Sequence, residues 1–504
     1  MTSIDQLYTE LDKTYKLVHF ADLGTITDQH GSAFRLLKSL RKDSFDPDER
    51  IVFYSSYKPS QLILDHLQLA ASKIDISNWF IMVCGPEDIT IQLHQANKKF
   101  GYDEVDISWY PSVINTTIDI NKNGIYPHDT MCFLPFNSLS LDTDFNATPC
   151  CKYQGSLGDA KKQTLKEIMV GNEATELRRL FKQGIKPQAC QTCWDTEKSG
   201  STSQRQIFLS KFRDVGDLYH VDTPVVRNLS TSPSIICNFK CRICDYRSSS
   251  AIAAEDMSFT TDESVKKDLL LRIQDKSLID INDYFQVVKP VLNEIEDLHI
   301  LGGEPFLMKN LEGLLEYIIQ QEHQQHIKIV TNTNSSVWND RIVNSLKKFQ
   351  HTEVLLSIDD IGRRFETQRG GLWQDVNQNI QKWANVQSAT FVVKVAPTVN
   401  IQNVLYLDQL VEYCQSLNLK MVWCYLEHPQ ELCIDYITKS AKELIYNKYY
   451  NHPESELRNI ANRVLASKPV SGQSFINLMN KYDLRRNTSF ASTHPEIFQA
   501  MSDR

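Results

Sequence analysis

Between residues 14 and 100, short apolar runs alternate with stretches whose apolar positions recur at helical spacing. Lys16-Leu17-Val18-His19-Phe20 reads as a strand, Ala33 to Leu40 as a helix, Ile51-Val52-Phe53-Tyr54 as a strand, Gln61 to Lys73 as a helix, Trp79-Phe80-Ile81-Met82-Val83 as a strand and Glu87 to Phe100 as a helix. This alternation predicts a small parallel α/β layer. Residues 126–210 are weakly periodic apart from one helix around Glu173 to Lys182. From 225 to 430 the alternation returns. The expected strands are Ser234-Ile235-Ile236, Asp297 to Leu301, Ile327 to Val330, Val354 to Ile358, Thr390 to Val395 and Lys420 to Tyr425. The expected helices are Leu311 to Gln320, Asp340 to Phe349, Val376 to Ala384 and Leu407 to Leu417. Six strands with intervening helices predict a parallel barrel, complete or partial, in which chemistry sits at the C-terminal strand ends. The stretch from 434 to 504 reads as helical and polar. The expected organisation is therefore α/β, with an N-terminal α/β domain (1–125), a cysteine-rich module (126–215), a partial (β/α)6 TIM-like barrel (225–430) and a helical C-terminal extension (431–504).

Composition narrows the function classes. The 504 residues carry a net charge of −8, and the sequence pI is about 5.9. No basic field is available to attract nucleic acid or an anionic membrane. Lys161-Lys162 and Arg363-Arg364 read as solvated faces. No stretch approaches the ~18 apolar residues of a membrane span. Met1 to Gln6 has no basic flank leading into an apolar run, so residence in the cytoplasm, where thiols stay reduced, is expected. Gly24 and Gly31 lack dinucleotide-fingerprint spacing. This leaves the N-terminal domain a recognition or docking role. Of 12 cysteines, eight fall between residues 132 and 244, a clustering that points to metal rather than disulfides. Cys84, Cys414, Cys424 and Cys433 stand singly in apolar contexts and read as buried thiols.

Ile236-Cys237-Asn238-Phe239-Lys240-Cys241-Arg242-Ile243-Cys244 spaces its cysteines C-x3-C-x2-C. Three closely spaced thiolates can hold an iron–sulfur cubane on one loop and leave one iron open. An open position is how a metal site admits a substrate or cofactor. From spacing alone, a zinc site completed by a distant ligand, or unrelated core thiols, stay open as readings. Further on, Leu301-Gly302-Gly303-Glu304-Pro305 follows an expected strand. Two glycines there allow a close backbone approach, and a carboxylate can accept from an ammonium.

With these two motifs in place, residues 225–430 resemble the radical S-adenosylmethionine (SAM) superfamily. Cys237, Cys241 and Cys244 match its cluster triad, and Gly302, Gly303, Glu304 and Pro305 match its GGEP segment. Ile243 stands where the family usually has an aromatic residue. Ser357-Ile358-Asp359-Asp360 looks like its SxDG segment, with Asp360 replacing the glycine. The resemblance implies a [4Fe–4S] cluster that binds SAM, reductive C–S cleavage and a 5′-deoxyadenosyl radical that attacks a substrate carbon. It implies SAM contacts from Glu304 to the ammonium, from Ser357 to ribose or carboxylate and from Arg369 to the carboxylate. Asn332, and residues 395–400 against adenine, complete the implied set. Strand-end capping is the alternative for Asn332 and Ser357, and a surface charge that for Arg369.

A second group comprises Cys132, the pair Cys150-Cys151, and Cys190-Gln191-Thr192-Cys193. Taken alone it suits zinc or an iron–sulfur cluster. With Glu197, Gly200, Ser203 and Arg205 it resembles the SPASM/twitch auxiliary-cluster modules of radical SAM enzymes, the one-cluster twitch form matching best. Here the module precedes the barrel, whereas most follow it. The implied ligands of a second [4Fe–4S] cluster are Cys132, Cys150, Cys190 and Cys193, with Cys151 as substitute for Cys150. The resemblance further implies an external reductant of flavodoxin or ferredoxin type. The implied substrate is a peptide or protein, or else a small molecule.

Overall fold

The computed structural model describes Leu17–Asp22, Glu49–Ser55, Phe80–Cys84 and residues 130–198, 203–211, 224–274, 281–308 and 311–503. Strands β1 (Leu17–Asp22), β2 (Glu49–Ser55) and β3 (Phe80–Cys84) form a parallel sheet in that order, with Leu17 opposite Glu49 and Ile51 opposite Phe80. The helices expected at 33–40, 61–73 and 87–100 lie outside the described residues. The chain divides into two compact units that interleave in sequence. One comprises Met1–Phe136 and Leu177–Thr223, the other Asn137–Glu176 and Pro224–Arg504.

The second unit is built on a nine-stranded sheet. Its strands are β4 (Ser138–Leu141), β5 (Asn146–Thr148), β6 (Gly158–Asp159), β7 (Asn228–Thr231), β8 (Asp297–Ile300), β9 (Lys328–Thr333), β10 (His351–Leu356), β11 (Phe391–Val395) and β13 (Lys420–Met421). Their order is β13-β11-β10-β9-β8-β7-β4-β5-β6, parallel from β13 through β4 and antiparallel beyond. The sheet is an unclosed, partial barrel. Its β4–β6 edge comes from residues that periodicity left featureless.

Two strand expectations are corrected, and a proline accounts for each. The first barrel strand is Asn228–Thr231 rather than Ser234–Ile236. Pro233 lacks the N–H a ladder needs, and the chain beyond it is a loop. The run from Lys420 to Tyr425 is two short strands, β13 and β14 (Cys424–Tyr425). β14 pairs with β12 (Thr398–Val399) in a separate small sheet. Pro397 interrupts the ladder between β11 and β12, so the partner strand breaks at the same level.

Side chains alternate along the barrel strands, as the two-residue period requires. Leu298, Ile300, Ile329, Thr331, Val354, Leu356, Val393 and Val395 are buried. Helices cover this face. Trp383, on the helix Trp373–Asn385, stacks on Phe391 with ring centroids 6.4 Å apart. Tyr284, on the helix Ile281–Val288, shares a 2.8 Å hydrogen bond with Thr231. The alternate positions His299, Asn332, Glu353 and Lys394 are half-buried and polar. His299 Nε2 lies 2.9 Å from Asn332 Oδ1, and Lys394 Nζ lies 2.9 Å from Glu353 Oε1.

Residues 439–502 are helical, as the sequence suggested. The longer helices also have buried stripes, such as Leu457, Ile460, Ala461 and Val464 on Ser455–Ala466. Cys414 and Cys433 are buried thiols, but Cys424 is exposed, which corrects the expectation for it. The side chain of Cys84 lies outside the described residues. Among the described residues, no helix is long and apolar enough to cross a membrane.

Candidate functional site

The cysteine triad occupies the loop between β7 and the helix Ser250–Met257. Cys241 is buried, and Cys237 and Cys244 are half-buried. The loop is bonded through its backbone. Lys240 N–H donates to Arg369 O (3.2 Å), Arg242 N–H to Gln368 O (2.8 Å) and Cys244 N–H to Cys241 O (3.1 Å). Ser250 Oγ accepts from Cys237 N–H at 3.2 Å, and Ser249 Oγ donates to Phe239 O at 2.8 Å. The Cys244 thiol donates to Cys241 and holds that thiol below its ordinary range, with the Arg369 guanidinium adding to the effect against burial. Cys244 is correspondingly pushed up. Burial raises Cys237 to about 11. Among the described residues, no three His, Cys, Asp or Glu side chains converge tightly enough to grip a single metal ion.

The GGEP segment lies against the chain that leads into this loop. Gly303 N–H donates to Ser234 O (2.8 Å) and Glu304 N–H to Ile236 O (2.7 Å). A Cβ on Gly303 would stand 2.4 Å from Ile236 O and 2.7 Å from Ile235 O, and Gly302 has φ +135°. The close approach that the glycines permit is to the protein's own backbone. Glu304 has no exposed surface. Its carboxylate accepts from Phe306 N–H (3.1 Å), Thr333 Oγ1 (2.8 Å) and Asn334 N–H (2.6 Å). Burial lifts its pKa to about 7 against the pull of those donors. Pro305 starts the short 3-10 turn that Glu304 caps.

The Glu304 carboxylate leads to Asn334, the residue after β9. Its Nδ2 donates to Asn238 Oδ1 (3.1 Å) and approaches Cys237 Sγ (3.8 Å). Asn332, on β9, is bonded to His299. Arg369 is buried, not a surface charge. Its Nη1 donates to Ser357 O (2.5 Å) and Asp359 Oδ2 (3.0 Å), while its Nε is buried with no partner among the described residues. Ser357 meets Arg369 through its carbonyl. Asp360 accepts from Arg364 and Gln368, and burial raises its pKa to about 6.

The second cysteine group divides between the units. In the first unit, Cys132 and Cys193 are buried and Cys190 is half-buried. Burial pushes Cys190 up to about 12, with Cys193 adding to the effect. Around Cys193, Arg205 forms a fork onto Glu197 (2.9 and 2.6 Å), donates to Met131 O (2.7 Å) and lies 4.8 Å over the Trp194 ring. Ser203 Oγ donates to Glu197 at 2.5 Å. Gly200 lies outside the described residues. In the second unit, Cys150 is half-buried and Cys151 exposed, on the turn after β5.

Residues 231–411 match the radical SAM superfamily, and residues 132–194 match an iron–sulfur cluster-binding domain. Residues 231–411 are thus a radical SAM domain. Members of this superfamily bind a [4Fe–4S] cluster and SAM, and the second match adds an auxiliary iron–sulfur cluster. Both motif groups lie within the matched segments, apart from Glu197, Gly200, Ser203 and Arg205. Three solved structures are similar in part. SuiB of Streptococcus suis with the precursor peptide SuiA is 14% identical over 51% of this chain and 53% of that one, with a TM-score of 0.28. SuiB with SAM is 14% identical over 53% and 56%, with a TM-score of 0.31. The anSMEcpe protein with bound AdoMet is 16% identical over 45% and 61%, with a TM-score of 0.31. The chain thus spans between half and two thirds of the length of these structures. No curated protein matches it.

The residues of the triad loop fit a SAM-binding cluster. Three thiols share one loop, one of them favoured as thiolate. Beside them is a buried guanidinium with an unused donor, able to receive an anionic group such as a carboxylate.

Proposed function

We propose that this chain is a radical SAM enzyme that modifies a peptide or protein substrate. The observation that carries the reading is the pairing of the triad with Arg369, whose carbonyl and guanidinium both face Cys241 while its Nε has no partner among the described residues. Cys237, Cys241 and Cys244 hold the [4Fe–4S] cluster. Arg369 and Ser357 orient the SAM carboxylate, and Gly302, Gly303, Glu304 and Pro305 set the wall beside it. Asn332 continues that wall on β9. When bound, the cluster supplies the electron that cleaves SAM to a 5′-deoxyadenosyl radical. The residues of the chain orient SAM and exclude water from the radical.

Cys132, Cys190 and Cys193 with Cys150, or Cys151 in its place, hold the auxiliary cluster. The half-buried polar face of His299, Asn332, Glu353 and Lys394 suits a polar substrate group, as a peptide offers. Residues 1–125 recruit the substrate, 126–215 carry the auxiliary cluster, 225–430 form the catalytic barrel and 431–504 form its extension. The enzyme works in the cytoplasm with an external flavodoxin- or ferredoxin-type reductant, and needs neither nucleic acid nor membrane.

The test is anaerobic reconstitution, reduction with dithionite and addition of SAM. About eight irons per chain and release of 5′-deoxyadenosine are expected. Zinc without iron would overturn the reading, and a Cys241→Ala chain that still releases deoxyadenosine would overturn the triad assignment.

A further inference from the structure

We propose that Arg242 is a positioning residue through which the C-terminal helices hold the cluster-bearing loop in its working shape. The inference rests on the radical SAM reading and goes beyond it, because nothing in the family motifs calls for a cation between the second and third cysteines.

Arg242 has no exposed surface, although a residue between two ligands on a loop would ordinarily face solvent. Burying a guanidinium is costly unless every donor is used. Its Nε donates to Thr367 O (2.9 Å), Nη2 to Asp483 Oδ1 (2.6 Å) and Thr488 Oγ1 (2.9 Å), and Nη1 approaches Met479 Sδ (3.4 Å). The guanidinium lies 5.6 Å over both the Tyr482 and Phe490 rings. All of these partners except Thr367 belong to Met479–Phe490, the end of the helix Gln473–Arg486 and the turn after it.

The same helix grips the other side of Cys241. Arg486 Nη1 donates to Lys240 O (2.6 Å), and Arg486 is itself held by Glu255 (2.8 Å). Both residues flanking Cys241 are therefore tied to one helix, while their N–H groups are tied to Gln368 and Arg369. A planar fork of five donors can bond in several directions at once, which an ammonium cannot do. Arg242 does not touch the reacting atoms. It fixes the peptide that presents the Cys241 thiol to Arg369.

The test uses the full chain and the variants Arg242→Met, Arg242→Lys and Asp483→Ala. In cluster-free protein, amide hydrogen exchange is followed across residues 238–245. In reconstituted, reduced protein, the electron paramagnetic resonance spectrum is recorded with and without SAM. Exchange at the Lys240 and Arg242 amides is expected to rise at least about tenfold in Arg242→Met and Asp483→Ala, with Arg242→Lys between these and wild type. The SAM-induced spectral change is expected to broaden or vanish while iron per chain holds. If Arg242→Met fails to fold, Asp483→Ala removes a single partner and carries the test. Unchanged exchange together with an intact SAM-induced change in Asp483→Ala overturns the proposal. A wild-type chain that takes up no iron overturns the functional reading, and the exchange measurement stands apart from that result.

Discussion

Gly303→Ala puts the junction between the GGEP segment and the cysteine loop to a direct test. The added methyl would stand 2.4 Å from Ile236 O, 2.7 Å from Ile235 O and 2.7 Å from Ile236 C, all backbone atoms. No rotamer change relieves such a contact, so the 234–236 segment must move. Overpacking of this kind costs about 1–3 kcal/mol. The shift also stretches the bonds from Gly303 N–H and Glu304 N–H, each contributing about 1 kcal/mol. A total loss of about 2–4 kcal/mol follows. Urea unfolding followed by tryptophan fluorescence reads it, because Trp338, Trp373 and Trp383 all lie in the barrel unit. Iron retained after reconstitution should fall as well, since the displaced segment leads directly into Cys237. An alanine variant within about 0.5 kcal/mol of wild type, with a full iron load, would refute the backbone-contact argument.

Three further outcomes are expected. Glu304 takes a proton in the folded chain up to about pH 7, whereas its ordinary value is 4.5. Stability therefore falls as pH rises through that window, by up to about 3 kcal/mol. Glu304→Gln should flatten the difference between urea midpoints at pH 5 and pH 8, and an unchanged slope counts against the assigned burial cost. Arg205→Ala leaves Glu197 and Met131 O without their donor, and should destabilise the first unit by about 3 kcal/mol in thermal melts. A loss below about 0.5 kcal/mol would mean the fork onto Glu197 is solvated. Of Cys150→Ser and Cys151→Ser, one alone should lose about four irons per chain. Equal loads in both variants and wild type would remove this pair from the auxiliary ligand set.

The barrel was readable because its strands and helices differ in period. Leu311–Gln320 and the three N-terminal strands fall within a residue or two of their expected positions. The failures have local causes. Ile235-Ile236 is the more apolar run and draws the expected strand past Pro233, yet a strand needs N–H groups before it needs apolar side chains. The edge strands β4–β6 are two to four residues long, too short for any period to register. The helix Leu165–Val170 carries a readable signal, the capping box from Thr164 to Glu167, inside a segment of weak periodicity.

At the site, the residue types were legible and their partners were not. Glu304 stood in a recognisable motif, but only the fold shows that Thr333 and Asn334 occupy its oxygens. Arg242 sat in plain view between two cysteines, and its role depends on residues more than 200 positions away.

That separation bears on how the protein is made. Arg242 and Asp483 are 241 residues apart, and contacts so distant form late because the loop between them must first be closed. During synthesis the cysteine triad emerges long before the helix that steadies it. Through that interval Cys237, Cys241 and Cys244 belong to an unbraced loop, open to oxidation or to capture by the wrong metal. Loading iron on the growing chain would therefore meet an unfinished cradle.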